Sequence, residues 1–365
     1  MTKHSLAGAG LLLLASCVQA QTTPTEVAIP LEELETCLRS SVTGAADTMS
    51  VRELKEACAL LLEKKIAAQP PETAQTTEEV VLPQTVVDEV ETQATRERMT
   101  IEALNRTNRF MLTPHQRNYI LPATYKSDPN TEPYAAAGDQ LQNLKHTEAE
   151  FQFSIKILLR EGIFGDNGHL YLGYTNHAFW QVYNGDISRP FRETNHEPEL
   201  ILSFTNDWEI FGFRNVLNEA IINHQSNGQG GPLSRSWNRI MFNTVFEKDN
   251  LVFALTPWYR LPESKAKYPG DPKGDDNPDI EKFLGHFEFN TAYRHRSNIY
   301  SMTLRNNLRG ENKGAVELGW SFPISSRSQT IRGYLKYFNG YGESLIDYND
   351  HTQTVGLGVI FTDLF

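Results

Sequence analysis

Residues 286–295 read HFEFNTAYRH. Phe287, Phe289, Thr291, Tyr293 and His295 alternate with His286, Glu288, Asn290, Ala292 and Arg294. Successive side chains of a strand point to opposite faces, so this stretch predicts a strand with one aromatic face and one polar face. The pattern recurs. Val316, Leu318, Trp320 and Phe322 alternate with Glu317, Gly319 and Ser321. Tyr300, Met302 and Leu304 alternate with Ser301, Thr303 and Arg305, and Val355, Leu357, Val359 and Phe361 with Thr354, Gly356, Gly358 and Thr362. A soluble sandwich also alternates, with its apolar face turned inward. Here the apolar face is repeatedly aromatic and the polar face carries Glu, Arg, Ser and Asn. In a membrane barrel the polar face lines a lumen and the other meets hydrocarbon and headgroups. Closure also leaves no unpaired backbone in the bilayer. The expectation is therefore all-β: a transmembrane antiparallel β-barrel, whose last strand runs to a terminal aromatic, Phe365.

The bulk properties agree with export and exclude some partners. The 365 residues carry a formal net charge of −11, which argues against a nucleic-acid surface. Mean hydropathy is −0.44, but an alternating barrel averages its apolar and polar residues and does not register as a membrane protein on that index. Lys3 and His4 precede the apolar run LAGAGLLLLA, which is short and terminal, as in a signal peptide. Cleavage after Val18-Gln19-Ala20 gives a signal segment over 1–20. The string Leu14-Ala15-Ser16-Cys17 also suits lipid attachment at Cys17, and that alternative stays open. No later segment has the run of about 18 apolar residues that suggests a spanning helix.

Three regions follow the signal. Residues 21–66 read as a small helical extension. Leu31, Leu34, Cys37 and Leu38 recur at helical spacing, and Ser50-Val51-Arg52-Glu53 opens a second helix as a capping box. Cys37 and Cys58, exported as a pair, are expected to form a disulfide between these helices. Residues 67–105, with QPPETAQTTEE, have the composition of a flexible linker. Residues 106–365 carry the barrel pattern.

Residues 223–239, NHQSNGQGGPLSRSWNR, hold the chemistry. His224 and Ser226 are two apart and share a strand face with Ala220 and Ile222, the face expected to meet lipid. Gly228, Gly230, Gly231 and Pro232 supply a turn, and the returning strand places Asn238 on the same outward face with Ile240 and Phe242. Polar groups facing lipid are expensive without a purpose. Histidine can take the proton of a serine, asparagine can hold the imidazole in the required tautomer, and the backbone N–H groups of Gly228 and Ser226 can receive an oxyanion. A serine nucleophile on that wall has an abundant substrate, the ester carbonyl of a membrane lipid. No G-x-S-x-G elbow surrounds Ser226, and an H-x-S pair taken alone reads as a chance pair beside an ordinary turn; the shared face of all three residues brings the two readings level.

From about Arg109 to Phe365 the chain resembles the outer membrane phospholipase A family. NHQSNGQGGPLSRSWNR carries the resemblance most strongly, and PFRETNHEPEL, DDNPDIEKFLG, GAVELGWSFPI, NGYGESLIDYN and VGLGVIFTDLF follow in family order. The resemblance implies a barrel of about twelve strands. It implies a calcium-dependent hydrolase of glycerophospholipids and lysophospholipids in the bacterial outer membrane, with Ser226 as nucleophile, His224 as base and Asn238 as orienting residue. It also implies Ca²⁺ ligands at Ser234, Asp276 and the Gln229 carbonyl, with the Ser188 carbonyl supplied across a reversible homodimer. Asn176 falls where the family places an interface glutamine, a shorter reach that weakens the expected dimer. The acidic turn Asp275–Asp279 taken alone reads as a solvated loop. His177 and His196 are expected at loop or headgroup level, and the 5 Trp and 14 Tyr as interface anchors and packing. The alternatives are a non-catalytic barrel, serving as pore or structural protein, and a soluble β-rich lipase.

Overall fold

The computed structural model describes residues 111–363, except 269–270, 272–273 and 326–327, together with Thr95, Arg98, Glu102 and Asn105. The signal segment, Cys17, the 21–66 extension with Cys37 and Cys58, and Phe365 lie outside the described residues.

Twelve long strands run antiparallel, each paired with its neighbours in sequence: β1 (Asn118–Lys126), β2 (Thr147–Arg160), β3 (His169–Trp180), β4 (Phe191–Thr205), β5 (Phe213–Ser226), β6 (Ser236–Lys248), β7 (Leu251–Arg260), β8 (Phe287–His295), β9 (Asn298–Asn306), β10 (Gly314–Ser325), β11 (Ser328–Tyr341) and β12 (His351–Thr362). β1 pairs with β2 on one side and with β12 on the other, which closes the sheet. Among the described residues, no helix is long and apolar enough to cross a membrane, so the strands do the crossing.

The alternation sorts as the sequence predicts. Tyr293, Tyr300, Leu318, Trp320, Val355, Leu357 and Phe361 are all exposed on the outer wall. Their neighbours Ala292, Ser301, Ser321 and Thr354 are buried on the inner face. The lumen is filled with paired charge. Arg192 grips Glu148 through Nε and Nη2 at 2.9 and 2.8 Å and reaches Asp347 through Nη1 at 2.8 Å. Lys126 donates to the same Asp347 carboxylate at 2.8 Å. Lys336 pairs with Glu150, which also bonds His177 Nε2 at 2.8 Å. Buried charges persist only when paired and hydrogen-bonded, and each of these is. His177, on β3, therefore faces the lumen and is not a loop residue. Strand parity requires it, since Asn176 beside it faces outward.

The segment read as a flexible linker is packed where the structure describes it. Arg98, Glu102 and Asn105 are helical, and Thr95 is buried with its hydroxyl donating to Glu247 at 2.5 Å. Glu102 gives buried Lys156 a carboxylate at 3.0 Å. Asn105 donates to Thr113 at 3.2 Å. A polar composition suits a water-filled linker and a charged lumen equally, and here the lumen holds the chain.

The two rims differ. β6–β7 and β8–β9 are joined by tight turns whose Asp249 and Arg296 take left-handed backbone, both at φ 53. The opposite rim carries the long connections 127–146, 181–190, 227–235, 261–286 and 342–350. Short turns face the periplasm in such barrels and long loops face outward. Beneath the long loops lies an apolar cluster of Trp237, Trp258, Ile280, Phe283, Leu284, Leu345 and Tyr348. It packs the inner side of the wall on which the site stands.

Candidate active site

β5 ends on His224 and Ser226, and β6 returns opposite them. Their register pairs His224 with Asn238 and Ser226 with Ser236. Asn227 makes the turn between them possible. It is buried, its Nδ2 donates to the Leu233 carbonyl at 2.8 Å, and its Oδ1 accepts from the backbone N–H groups of Gln229 and Arg235 at 3.2 and 3.0 Å. Gly228 follows at φ 65, a left-handed conformation that glycine adopts without strain.

The face assignment holds in detail. Ile222, Ile240 and Phe242 are 58, 49 and 48% exposed on the outer wall, while Asn223, Trp237 and Arg239 are buried toward the lumen. His224, Ser226 and Asn238 share the outer face and are half-buried. The Asn238 Oδ1 can only accept, so His224 donates to it from Nδ1–H, at 2.8 Å. A neutral imidazole with its proton on Nδ1 has its lone pair on Nε2. His224 makes no other hydrogen bond among the described residues, which leaves that lone pair open to a proton.

Two residues join this group that the sequence does not announce. Glu263, in the 261–286 loop, accepts from Asn238 Nδ2 at 3.1 Å. His196, on β4, is paired in register with Ser226. Its Nδ1 lies 2.7 Å from Tyr174 Oη and 3.4 Å from Asn176 Nδ2, and a Cβ on Gly228 would sit 3.6 Å from its Cδ2. His196 thus stands at the wall beside Gly228 and belongs to the site's surroundings. Only the β4–β5 register could have placed it there.

The oxygen-rich group gathers in part. Ser236 N–H donates to Asn277 Oδ1 at 3.1 Å, which ties the 275–279 turn to the start of β6. Ser234 Oγ then donates to Asp276 Oδ2 at 2.7 Å. The other carboxylates of the turn are engaged elsewhere: Asp275 pairs with Arg260 at 2.6 Å, and Asp279 accepts from Tyr348 at 2.7 Å. Gln229 lies exposed on the same 227–235 turn. Ser188, at φ 51, lies on the separate 181–190 loop and makes no hydrogen bond to the others. Among the described residues, no three His, Cys, Asp or Glu side chains gather as a metal centre. Any cation here would rest on a mixed set of hydroxyl, carbonyl and a single carboxylate.

Comparison with known proteins adds the lineage. A family model described as Phospholipase A1 matches residues 95–361, and so begins at the lumen segment, ahead of the first strand. The Phospholipase A1 of Klebsiella pneumoniae is 38% identical over 258 residues, covering 71% of this chain and 85% of that protein. That of Escherichia coli K12 is also 38% identical, covering 71 and 84%. Outer membrane phospholipase A from Escherichia coli superposes with a TM-score of 0.64 at 38% identity, over 70% of this chain and all of that one. The outer membrane phospholipase of Salmonella typhi, a dimer with bound calcium, superposes with a TM-score of 0.65 at 36% identity, over 71 and 94%. A polar-cored barrel of twelve strands, matched over nearly the whole of these enzymes, assigns the chain to the phospholipase A1 family: it is a phospholipase of the outer membrane, an ester hydrolase.

Proposed function

We propose that Ser226, His224 and Asn238 form the catalytic triad, acting on acyl esters of glycerophospholipids and lysophospholipids. The observation that carries this reading is the 2.8 Å bond from His224 Nδ1–H to Asn238 on the lipid-facing wall, with Ser226 two residues along the same face. Asn238 fixes the tautomer, so Nε2 can take the Ser226 Oγ proton as the hydroxyl attacks the ester carbonyl. The Gly228 and Ser226 N–H groups would receive the oxyanion. His224 then returns its proton to the departing lysolipid oxygen. A water, deprotonated by the same nitrogen, releases the fatty acid from Ser226.

Calcium fits the donor set. Ser234 Oγ and Asp276 Oδ2, already 2.7 Å apart, are hard oxygens of the kind this ion prefers, and the Gln229 carbonyl on the exposed turn would add a third. When bound, the ion would polarise water and offset negative charge near the oxyanion. One carboxylate and one hydroxyl leave its shell short, and the Ser188 carbonyl of a second copy would extend it. The assembly is therefore a reversible homodimer, with Asn176 facing the partner. The Salmonella typhi relative, a dimer with calcium, supports this.

Fatty-acid release from mixed phospholipid micelles tests the reading. Wild type should be active with calcium and silent in excess chelator, and Ser226→Ala silent in both. Full activity of Ser226→Ala would remove the triad. Full activity in chelator would remove the metal. A folded wild-type barrel that hydrolyses nothing would favour a structural role.

A further inference from the structure

We infer that Glu263 is a positioning residue for this reaction, an anionic anchor that holds the Asn238 carboxamide in its productive orientation. The inference rests on the triad reading above. The two ends of an asparagine amide are nearly the same size, and a half-turn exchanges them. In the observed orientation Asn238 Oδ1 accepts from His224, which keeps the imidazole proton on Nδ1 and the lone pair on Nε2. The exchanged orientation would present Nδ2–H to His224. The imidazole would answer by moving its proton to Nε2, and Nε2 could then accept nothing from Ser226. One rotation of a neutral side chain would thus switch off the base.

An aspartate in that place has no such problem, because both of its oxygens accept. Asparagine needs a neighbour that decides between its ends. An ionised carboxylate is acceptor-only, whereas a hydroxyl, an amide or a water can serve either end. Glu263 Oε1 accepts from Asn238 Nδ2 at 3.1 Å, so the exchanged amide would set its oxygen against a carboxylate oxygen. Glu263 is half-buried, and the chain around it is fastened on both sides. Leu261 N–H donates to the Asn238 carbonyl at 2.8 Å, and Asp275 N–H donates to the Ser264 carbonyl at 2.8 Å. The first of these bonds ties the loop to the same residue whose side chain Glu263 holds. The carboxylate does a second thing that asparagine cannot do alone. It places a negative charge one amide away from the imidazole, on the side where positive charge develops when His224 takes the serine proton.

The test uses the full chain in mixed phospholipid micelles at saturating calcium. Glu263→Gln, Glu263→Ala, Asn238→Ala, the double variant Asn238→Ala/Glu263→Gln and Ser226→Ala are compared by kcat and KM. Both Glu263 variants should lower kcat about tenfold, the scale of one charge-assisted hydrogen bond, with KM near wild type. In the Asn238→Ala background, Glu263→Gln should cost much less than it does in wild type, because the hydrogen-bonded route to the base is gone and only the more distant charge remains. A role confined to loop packing would instead spare the isosteric Gln variant, or raise KM, or multiply with Asn238→Ala. Each of those results overturns the inference, as does wild-type kcat in both single variants. Failure of the triad reads out separately, as activity surviving in Ser226→Ala.

Discussion

Asn223 and Asn238 are the same side chain on the same hairpin, and they do opposite work. Asn223 faces the lumen, fully buried, with every valence filled. Its Nδ2 donates to Glu197 and Glu199 at 2.7 and 3.0 Å, and its Oδ1 accepts from Arg239 Nε and Nη2 at 3.0 and 2.8 Å. Asn238 faces outward with two bonds, one to His224 and one to Glu263. The first closes a network that ends in itself. The second belongs to a chain of contacts that stops at an imidazole nitrogen with nothing bound. A polar group inside this barrel is there to satisfy its neighbours. On the lipid side, where polarity is costly, it is there because something comes to meet it.

The sharpest way to break this comparison is to remove one residue from each face. Ser226→Ala should reduce hydrolysis by about 10⁴-fold or more while leaving the barrel's heat-modifiable mobility on gels unchanged. Arg239→Ala should do the reverse. Arg239 bridges Glu197 at 2.7 Å and lies 4.1 Å over the Trp237 ring, so its loss leaves the half-buried Glu197 carboxylate without its cation and the buried Asn223 oxygen without its donor, at a cost of about 3–5 kcal/mol. Thermal unfolding in detergent should drop by many degrees, with kcat retained in whatever fraction stays folded. A stable Arg239→Ala barrel, or a Ser226→Ala barrel that no longer folds, would collapse the distinction between the faces.

A smaller effect sharpens the lumen side. Deleting residues 21–90 should leave a stable and active barrel, because it spares every described contact of the N-terminal segment. Deleting residues 21–105 should destabilise it by about 3–5 kcal/mol, since buried Lys156 would lose Glu102. Denaturant unfolding of the two truncations checks this. Equal stabilities would mean that the segment merely occupies space.

The smallest effect compares two carboxyls of the outer rim that are shifted in opposite directions. Burial would raise the Asp347 carboxyl, but Lys126 and Arg192 hold it well below its ordinary 3.8. Its stabilisation is therefore complete above about pH 4 and is lost as the pH falls toward the folded value. Glu263 is pushed above its ordinary 4.5, first by burial and then by Asp275, against the opposing pull of Arg260 and of the Asn238 bond. The folded state then holds its proton more tightly than the unfolded one, so stability falls slightly as the pH rises from 4.5 through the raised value. The decline in melting temperature between pH 4 and pH 8 should be shallower in Glu263→Gln than in wild type. The same slope in both would remove Glu263 as its source.

Much of this was legible in the sequence, because lipid on one side and a charged lumen on the other force strict alternation. HFEFNTAYRH and VELGWSF each reveal a strand and both of its faces. Parity alone also puts His224, Ser226 and Asn238 on one face, where the structure has them. It should equally have turned His177 inward, given an outward Asn176. What stayed hidden depends on contacts between distant segments. His196 meets Ser226 only through the β4–β5 register, and Glu263 reaches Asn238 only through the path of a loop whose composition, LPESKAK, carries no motif. The 95–105 segment was concealed for a different reason. Polar composition predicts a chain that seeks water, and a lumen lined with Lys156 and Glu247 offers polar partners in its place.

The occupied lumen has a consequence for how the barrel is made. The closing pairing, Thr354 with Lys126, joins the last strand to the first, so the wall cannot seal until nearly the whole chain has been laid down. A segment that ends up inside must be there before the seam shuts, or thread a closed ring afterwards. Because Thr95, Arg98, Glu102 and Asn105 come before β1 in the chain, they are well placed to wait in the gap. Assembly of this barrel would then wrap the sheet around residues that precede it, and the Glu102–Lys156 and Thr95–Glu247 contacts join those residues to the wall.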